Sequence, residues 1–136
     1  MHQVDPAIEA LSKSILSYAM DRLRMDPPTI DHPLPQTTLE ELAGQTITET
    51  GLGGKEALQL FIETLAPACI SEDHPRYLAF VPTAPSEVST LFDLVVGASN
   101  ICASSWLEGA GAIYAENQAL RWIADIAGLP AEAGGV

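Results

Sequence analysis

A proline-rich stretch near the N-terminus constrains the fold of this chain more than any other feature of its sequence. Four prolines lie between Asp26 and Pro35. Proline fixes its own φ angle, has no N–H group to donate, and disfavours helical backbone at the preceding residue. The stretch therefore predicts an extended connection that separates the first apolar segment of the chain from everything that follows.

The segment before this connection has the spacing of an amphipathic helix. Asp5 can accept hydrogen bonds from free amide groups, and Pro6 suits the first helical position. Apolar residues then recur every three or four positions: Ile8, Leu11, Ile15 and Tyr18. A helix with an apolar stripe, separated from the rest of the chain, is expected to pack on a partner rather than on its own chain.

Two shorter helices are expected after the proline-rich connection. Thr38 and Glu41 have the spacing of a capping box, which predicts a helix that starts there and ends near Gly44. A third helix closes at Pro67, and its apolar face is formed by Leu58, Phe61, Ile62 and Leu65.

The second half of the chain predicts an irregular segment followed by two helices. The apolar run 77–81 lies between prolines, which favours an extended segment outside any large sheet. Ser86 caps the most strongly periodic helix of the chain. A break from Trp106 to Gly111 precedes a last helix, which Gly128-Leu129-Pro130 ends.

Charge and apolar patterning exclude several classes of protein. The formal net charge is -12 and the six Lys and Arg residues are scattered, which argues against a nucleic-acid partner. No apolar run approaches the roughly 20 residues that cross a bilayer. Acidic Asp5 and Glu9 occupy the place where a signal peptide is cationic and apolar. We therefore expect a soluble, cytoplasmic protein without membrane contact.

No residue pattern by itself predicts a catalytic or metal site. His2, His32 and His74 lack metal-ligand spacing. Cys69 and Cys102 form neither a disulfide framework nor a metal motif, and both are expected to pack as small apolar side chains. The residues alone predict an acidic helical module with an apolar N-terminal arm.

A longer run of residues adds a resemblance to a known family. The segment His74-Pro75-Arg76-Tyr77-Leu78-Ala79-Phe80-Val81-Pro82-Thr83 resembles the one that opens the substrate cleft in the group II pyridoxal-phosphate-dependent amino-acid decarboxylases. The segments that follow keep the order and spacing of that family, and Trp106-Leu107-Glu108-Gly109 is similar to its bacterial branch: Ser105 to Gly111, Glu116-Asn117, Trp122, Gly128-Leu129-Pro130 and Gly134-Gly135-Val136. The resemblance is close over the second half of the chain and covers the first half in helical character alone.

The resemblance implies a mostly α fold, the N-terminal helical flap and dimerisation segment of a fold-type I enzyme, truncated before its large α/β cofactor domain. Residues 1–70 would form the helical arm, and residues 71–136 would line the cleft and lead into that domain. The parent enzyme would be a homodimer through its N-terminal helices, with the active site at the interface. Carried over by position, the residues that border the substrate pocket are Phe80, Val81, Pro82, Thr83, Cys102 and Ser104.

The family's chemistry also implies what this chain does not supply. The cofactor requires an imine-forming lysine, a carboxylate at its ring nitrogen and a phosphate cradle. In the family these groups lie beyond the part that this chain resembles, and neither Lys13 nor Lys55 matches the catalytic lysine. We therefore expect no catalytic, cofactor-binding or metal-binding residue here, and no activity from the chain alone. Animal aromatic decarboxylases carry bulkier apolar groups at the positions of Cys102 and Ser104, so the amino-acid substrate stays open.

A stand-alone helical dimerisation or interaction module without catalysis is the alternative. It accounts equally well for the apolar N-terminal arm.

Overall fold

Helices form all the regular secondary structure of the residues described by the computed structural model, which are 6–81 and 83–135. They are α1 (Pro6–Arg24), α2 (Gln36–Ala43), α3 (Gly54–Leu60), a π-helical turn (Phe61–Leu65), α4 (Glu87–Ser99) and α5 (Trp106–Ile126). The prediction of a mostly α chain is confirmed. The chain divides into two compact units, unit 1 up to Glu87 and unit 2 from Val88 onward. The functional division after residue 70 stays a prediction.

In unit 1, α1 packs on α3 and on the π-helical turn. The rings of Tyr18 and Phe61 meet edge to face, with centroids 6.0 Å apart and an interplanar angle of 85°. The side chain of Leu11 lies so close to Gly54 that a Cβ atom at this glycine would overlap it. The expectation that the first helix packs on a partner rather than on its own chain is therefore corrected. Ile15 and Leu16 on the same helix stay 46% and 44% exposed.

The start of α2 differs from the prediction. Thr38 was expected to cap this helix, but the helix begins at Gln36 and Thr38 lies within its first turn. Pro35 precedes the helix with φ -58°, and its carbonyl accepts from the N–H of Leu39 at 3.1 Å. Pro35 is thus the N-cap residue of α2, and no side chain caps the helix there. The predicted stop is confirmed, since Gly44 ends α2 at φ +61°.

The predicted third helix is present, and its second half widens. The N–H of Ala66 donates to the carbonyl of Phe61 at 2.8 Å, which is the i to i+5 bond of a π-helical turn. Pro67 follows directly and has no N–H group with which to continue the helix.

Unit 2 contains α4 and α5. As expected, α4 begins directly after Ser86. The break predicted between Trp106 and Gly111 is smaller in the structure, because α5 already starts at Trp106 and is kinked at Gly109, whose φ and ψ are -134° and 35°. At the other end Gly128 adopts φ +68°, and the N–H of Leu129 donates to the carbonyl of Ala124 at 2.9 Å. This arrangement is a Schellman motif and confirms the predicted stop signal.

Candidate functional site

A hydrogen-bonded turn at residues 71–77 leads into the segment that resembles the family's cleft. Ser71 and His74 are buried, at 7% and 9% exposure. The N–H of His74 donates to the carbonyl of Ser71 at 3.1 Å, and the N–H of Tyr77 donates to the carbonyl of His74 at 2.8 Å. The Nδ1 atom of His74 accepts from the N–H of Arg76 at 3.1 Å. The His74 ring therefore stabilises the backbone of the turn, and this acceptor role requires an unprotonated Nδ1.

Two long-range polar links hold this turn in unit 1. The Nη2 atom of Arg22, in the last turn of α1, lies 2.7 Å from Oδ1 of Asp73. The Ser71 hydroxyl accepts from the N–H of Asp31 at 3.0 Å and donates to Oδ2 of the same residue at 3.2 Å. Asp31 belongs to the proline-rich connection. The turn therefore bonds both to α1 and to the proline-rich connection that follows α1.

The ion pair changes the protonation equilibria of both partners. The hydrogen bond from Arg22 and its positive charge lower the pKa of Asp73, although partial burial acts in the opposite direction. The same hydrogen bond raises the pKa of Arg22. The side chains are 31% and 22% exposed, so solvent screens this pair less than a fully exposed one.

The cleft segment, residues 77–83, follows the turn. Its described residues, 77–81 and 83, are irregular chain, and all of them except the half-buried Tyr77 are exposed. Phe80 and Val81 are 86% and 93% exposed, and Thr83 is exposed as well. Phe80 has φ +56°, in the left-handed region that a bulky residue rarely adopts. Its ring lies against that of Tyr77, with centroids 6.5 Å apart. The prediction of an irregular segment is confirmed, and the Pro82 site assignment lies outside the described residues.

Tyr77 carries an unusual polar group for this segment. Its hydroxyl oxygen is buried and has no hydrogen-bond partner among the described residues. Desolvation, reinforced by the negative charge of Glu72, raises the pKa of this phenol.

In unit 2, Cys102 and Ser104 lie in the loop before α5. Cys102 Sγ and Ser104 Oγ are 2.9 Å apart and share a hydrogen bond. The carboxylate of Glu108 accepts from Ser104 at 3.2 Å and from Ser105 at 2.7 Å. Hydrogen bonds from the side chain and backbone of Ser104 favour the thiolate and lower the pKa of Cys102, while desolvation and Glu108 oppose this shift.

At the kink in α5, the backbone of the preceding loop packs against Gly109. A Cβ atom at Gly109 would lie 2.6 Å from the carbonyl oxygen of Cys102 and 2.9 Å from Cα of Ala103. Both neighbours are backbone atoms, which cannot move aside as a flexible side chain can. The loop therefore packs directly on the helix backbone, and this position requires a glycine.

The proposed pocket residues fall in both units. Phe80, Val81 and Thr83 belong to unit 1, whereas Cys102 and Ser104 belong to unit 2. Both cysteines are exposed, which corrects the expectation that Cys69 and Cys102 pack as small apolar side chains. Their apolar sequence neighbours are largely exposed as well, so these neighbours provide no core to receive the thiols.

Sequence reasoning missed Arg22, Asp73 and Asp31 as residues that hold the cleft segment. Arg22 and Asp73 are 51 positions apart, and Asp31 and Ser71 are 40 positions apart. No local pattern signals such pairs. The ion pair of Arg121 with Asp125, at 2.6 Å, differs in this respect, because its members are four positions apart on one helix.

Two kinds of feature are absent from the described ranges 6–81 and 83–135. They contain no cluster of three or more His, Cys, Asp or Glu side chains that could hold a metal ion. Within the same ranges, none of the helices combines the length and apolar character that crossing a membrane requires.

Comparison with curated proteins supports the class that the sequence predicted. The chain is a helical segment similar to the N-terminal part of the group II amino-acid decarboxylases. An aromatic-L-amino-acid decarboxylase from Bacillus atrophaeus is 30% identical over 119 residues, which cover 86% of this chain and 24% of the relative. Tryptophan decarboxylase 1 from Oryza sativa subsp. japonica is 26% identical over 113 residues, which cover 83% of this chain and 18% of the relative. The predicted resemblance is thus confirmed, and the chain spans a quarter or less of the curated relatives it matches. No protein-family model and no solved structure matches the chain.

Proposed function

We propose that this chain is the N-terminal part of a pyridoxal-phosphate-dependent L-amino-acid decarboxylase, a carboxy-lyase that converts an amino acid to an amine and carbon dioxide. In this proposal the chain supplies part of the dimer interface and walls of the substrate cleft. The likeness to two decarboxylases over more than four-fifths of the chain supports the assignment.

One structural observation carries the proposal, the exposed apolar surface of α4. This helix is apolar on most of its sides, yet none of its residues is buried. The large apolar side chains that it exposes are Val88, Leu91, Phe92, Leu94, Val95 and Val96. The wide apolar face of such a helix is expected to pack against other protein. In this proposal, further protein covers the exposed apolar surface of α4.

The substrate pocket would take its walls from two places. Phe80, Val81, Pro82 and Thr83 would border it from the cleft segment, and Cys102 with Ser104 would border it from the loop before α5. The exposure of Phe80 and Val81 supports this role, because a large apolar side chain displayed to solvent is available to contact a ligand or a second chain.

The chemistry itself belongs to residues outside this sequence. A lysine that forms an imine with the cofactor needs an environment that lowers its pKa, such as a desolvated pocket. The ammonium group of Lys13 instead forms an ion pair with Glu9 at 2.7 Å and is 74% exposed, and Lys55 is exposed on α3. The residues of this chain do not fit a pyridoxal phosphate site, and the remainder of the decarboxylase would hold the cofactor.

The partner would be a second copy of the same enzyme. Ile15 and Leu16 leave about half of their surface exposed on α1 after the helix has packed on its own unit. Each aliphatic side chain that becomes fully buried contributes about 1.5–3 kcal/mol, so this face can add to a dimer interface.

A stand-alone helical interaction module is the second candidate function. The packing of α1 on α3 within unit 1 favours it, because this unit makes tertiary contacts of its own.

Expression of the chain together with the reading frame that follows it tests the proposal. With added pyridoxal phosphate, the longer protein is expected to show the absorbance of a lysine imine and to release carbon dioxide from an amino acid. The 136-residue chain should show neither, and replacing Lys13 and Lys55 by methionine in the longer protein should leave activity unchanged. A stop directly after Val136, together with a stable cofactor-free dimer in sedimentation, would favour the stand-alone module instead.

A further inference from the structure

We propose that Arg22 is a positioning residue for the cleft segment: through Asp73, it fixes the turn from which residues 77–83 leave. The proposal rests on the proposed function where it assigns this segment to a substrate cleft. It gives α1 a second role, in which the helix that contributes to assembly also sets the conformation of a pocket wall.

The first step of the argument is the contact itself. Arg22 Nη2 and Asp73 Oδ1 are 2.7 Å apart, the length of a charge-assisted hydrogen bond. Both side chains are partly shielded, at 31% and 22% exposure. Of the two basic residues in the last turn of α1, Arg22 has this partner, whereas Arg24 is exposed.

The second step leads from Asp73 to the cleft segment. Asp73 lies inside the turn whose backbone bonds join Ser71 to His74 and His74 to Tyr77, at 3.1 and 2.8 Å. The ring of Tyr77 then lies against that of Phe80, with centroids 6.5 Å apart. A continuous path of contacts thus runs from α1 to the first proposed pocket residue.

The third step concerns the far end of the segment. Ala84 and Pro85, which follow the segment directly, line the same surface hollow as Arg22, Asp73 and Pro75. Residues that precede the cleft segment and residues that follow it therefore line one hollow together with the ion pair. A change in the ion pair is expected to affect the chain on both sides of the segment.

The fourth step concerns the exposure and the backbone conformation of the cleft segment between its two ends. Leu78, Phe80 and Val81 are 94%, 86% and 93% exposed, so the side chains of these three residues make few contacts. Phe80 also adopts φ +56°, a conformation that is unfavourable for a residue with a side chain. A strained backbone of this kind persists only where its surroundings determine it, and the anchored ends are the available source.

Hydrogen–deuterium exchange on the 136-residue chain tests the structural half of the proposal. Arg22→Met should raise exchange in residues 72–78 about twofold to fivefold, a range set by ion pairs at protein surfaces. The matched control Arg24→Met, on the same turn of the same helix, should leave it unchanged. Arg22→Lys should retain most of the protection, and the exchanged pair Arg22→Asp with Asp73→Arg should restore part of it. Equal exchange in the Arg22→Met and Arg24→Met variants would overturn the proposal.

Steady-state kinetics of the complete decarboxylase test the positioning role. Arg22→Met should raise KM about twofold to fivefold and leave kcat within about twofold, because a displaced pocket wall weakens substrate binding without touching the reacting atoms. Arg22→Lys should restore KM. Looser exchange with an unchanged KM in an active enzyme would show that the ion pair is structural only, which would refute the positioning role. An inactive wild-type protein would instead refute the proposed function. The hydrogen–deuterium exchange of the Arg22→Met and Arg24→Met variants would then decide whether Arg22 fixes the turn.

Discussion

The two units of this chain use contacts of different range. In unit 1, an ion pair joins residues 51 positions apart and hydrogen bonds join residues 40 positions apart. In unit 2, the side-chain contacts are local: Arg121 donates to the carbonyls of Pro130 and Ala131 at 3.1 and 2.9 Å, nine and ten positions away. Long-range polar contacts therefore organise unit 1, whereas the polar side-chain contacts given for unit 2 join residues close together in the sequence.

Exposed apolar side chains occur in both units, but two phenylalanines on helical turns differ in their surroundings. Phe61 in unit 1 meets the ring of Tyr18 and is 45% exposed, whereas Phe92 and Val96 of α4 are 62% and 61% exposed. Trp106 and Trp122 of α5 are also 61% and 67% exposed. Burial of such side chains is the main favourable contribution to folding, so truncation of Phe61 should cost this chain more than truncation of Phe92.

The largest expected effect breaks a tight backbone contact of unit 2, the packing of the loop before α5 on Gly109. Gly109→Ala places a Cβ atom 2.6 Å from a backbone carbonyl oxygen and should destabilise the loop before α5 by about 1–3 kcal/mol. Gly111→Ala is the matched control two positions away, where a Cβ atom meets nothing within 4 Å. It should stabilise the helix by up to about 1 kcal/mol, because alanine is the better helix former. Thermal unfolding followed by circular dichroism measures both, and equal effects would show that the loop does not pack on the helix.

A pair of phenylalanine truncations compares the two units directly. Phe61→Ala removes the ring that meets Tyr18, and it should cost about 1–2 kcal/mol, less than the 3–5 kcal/mol of a fully buried phenylalanine since Phe61 is 45% exposed. Phe92→Ala on α4 should change the free energy of unfolding of this chain by less than about 0.5 kcal/mol. Urea unfolding of both variants provides the measurement. If Phe92→Ala cost as much as Phe61→Ala, α4 would be packed in solution and the comparison would fail.

The pH dependence of unit 1 should reveal its ion pair. Because Arg22 lowers the pKa of Asp73, the stabilisation is fully present above the unfolded value of about 3.9 and is lost as the pH falls from there through the lower folded value. Asp73→Asn should remove this part of the acid dependence, an effect of at most about 1 kcal/mol. Stability curves between pH 7 and pH 2 provide the test, with the exposed Glu49→Gln as the control for lost charge. Parallel curves for wild type and Asp73→Asn would argue against the pair.

The smallest effect distinguishes the two thiols. Because Ser104 lowers the pKa of Cys102, this thiol is more ionised near neutral pH and should react with iodoacetamide accordingly. Ser104→Ala should slow the alkylation of Cys102 about twofold to fivefold, while Cys69 in unit 1 keeps its rate. Peptide mass spectrometry separates the two sites. An unchanged Cys102 rate in this variant would mean that the serine does not act on the sulfur.

Much of the fold could be predicted from the sequence because its signals are local. The first helix, the stops at Gly44 and Gly128 and the irregular run before α4 all depend on residues within a few positions of one another. Helix starts were less accurate: α2 begins after Pro35 rather than at the expected cap Thr38, and the predicted break before α5 is a kink at Gly109. The candidate pocket residues came from a resemblance over a long run of sequence, and no pattern within that run reveals what holds them in place.

The sequence by itself determined the helical class and the position of the joints, since apolar spacing, proline and glycine act over one or two turns of chain. The likeness to amino-acid decarboxylases rests instead on the order and spacing of residues over a long run of the chain. Tertiary structure alone decided that α1 packs on its own unit, that Arg22 meets Asp73, and that both thiols are exposed. Contacts between residues distant in sequence depend on the path of the whole backbone. A local sequence pattern does not specify that path, because the same residues at the same spacing are compatible with many tertiary arrangements.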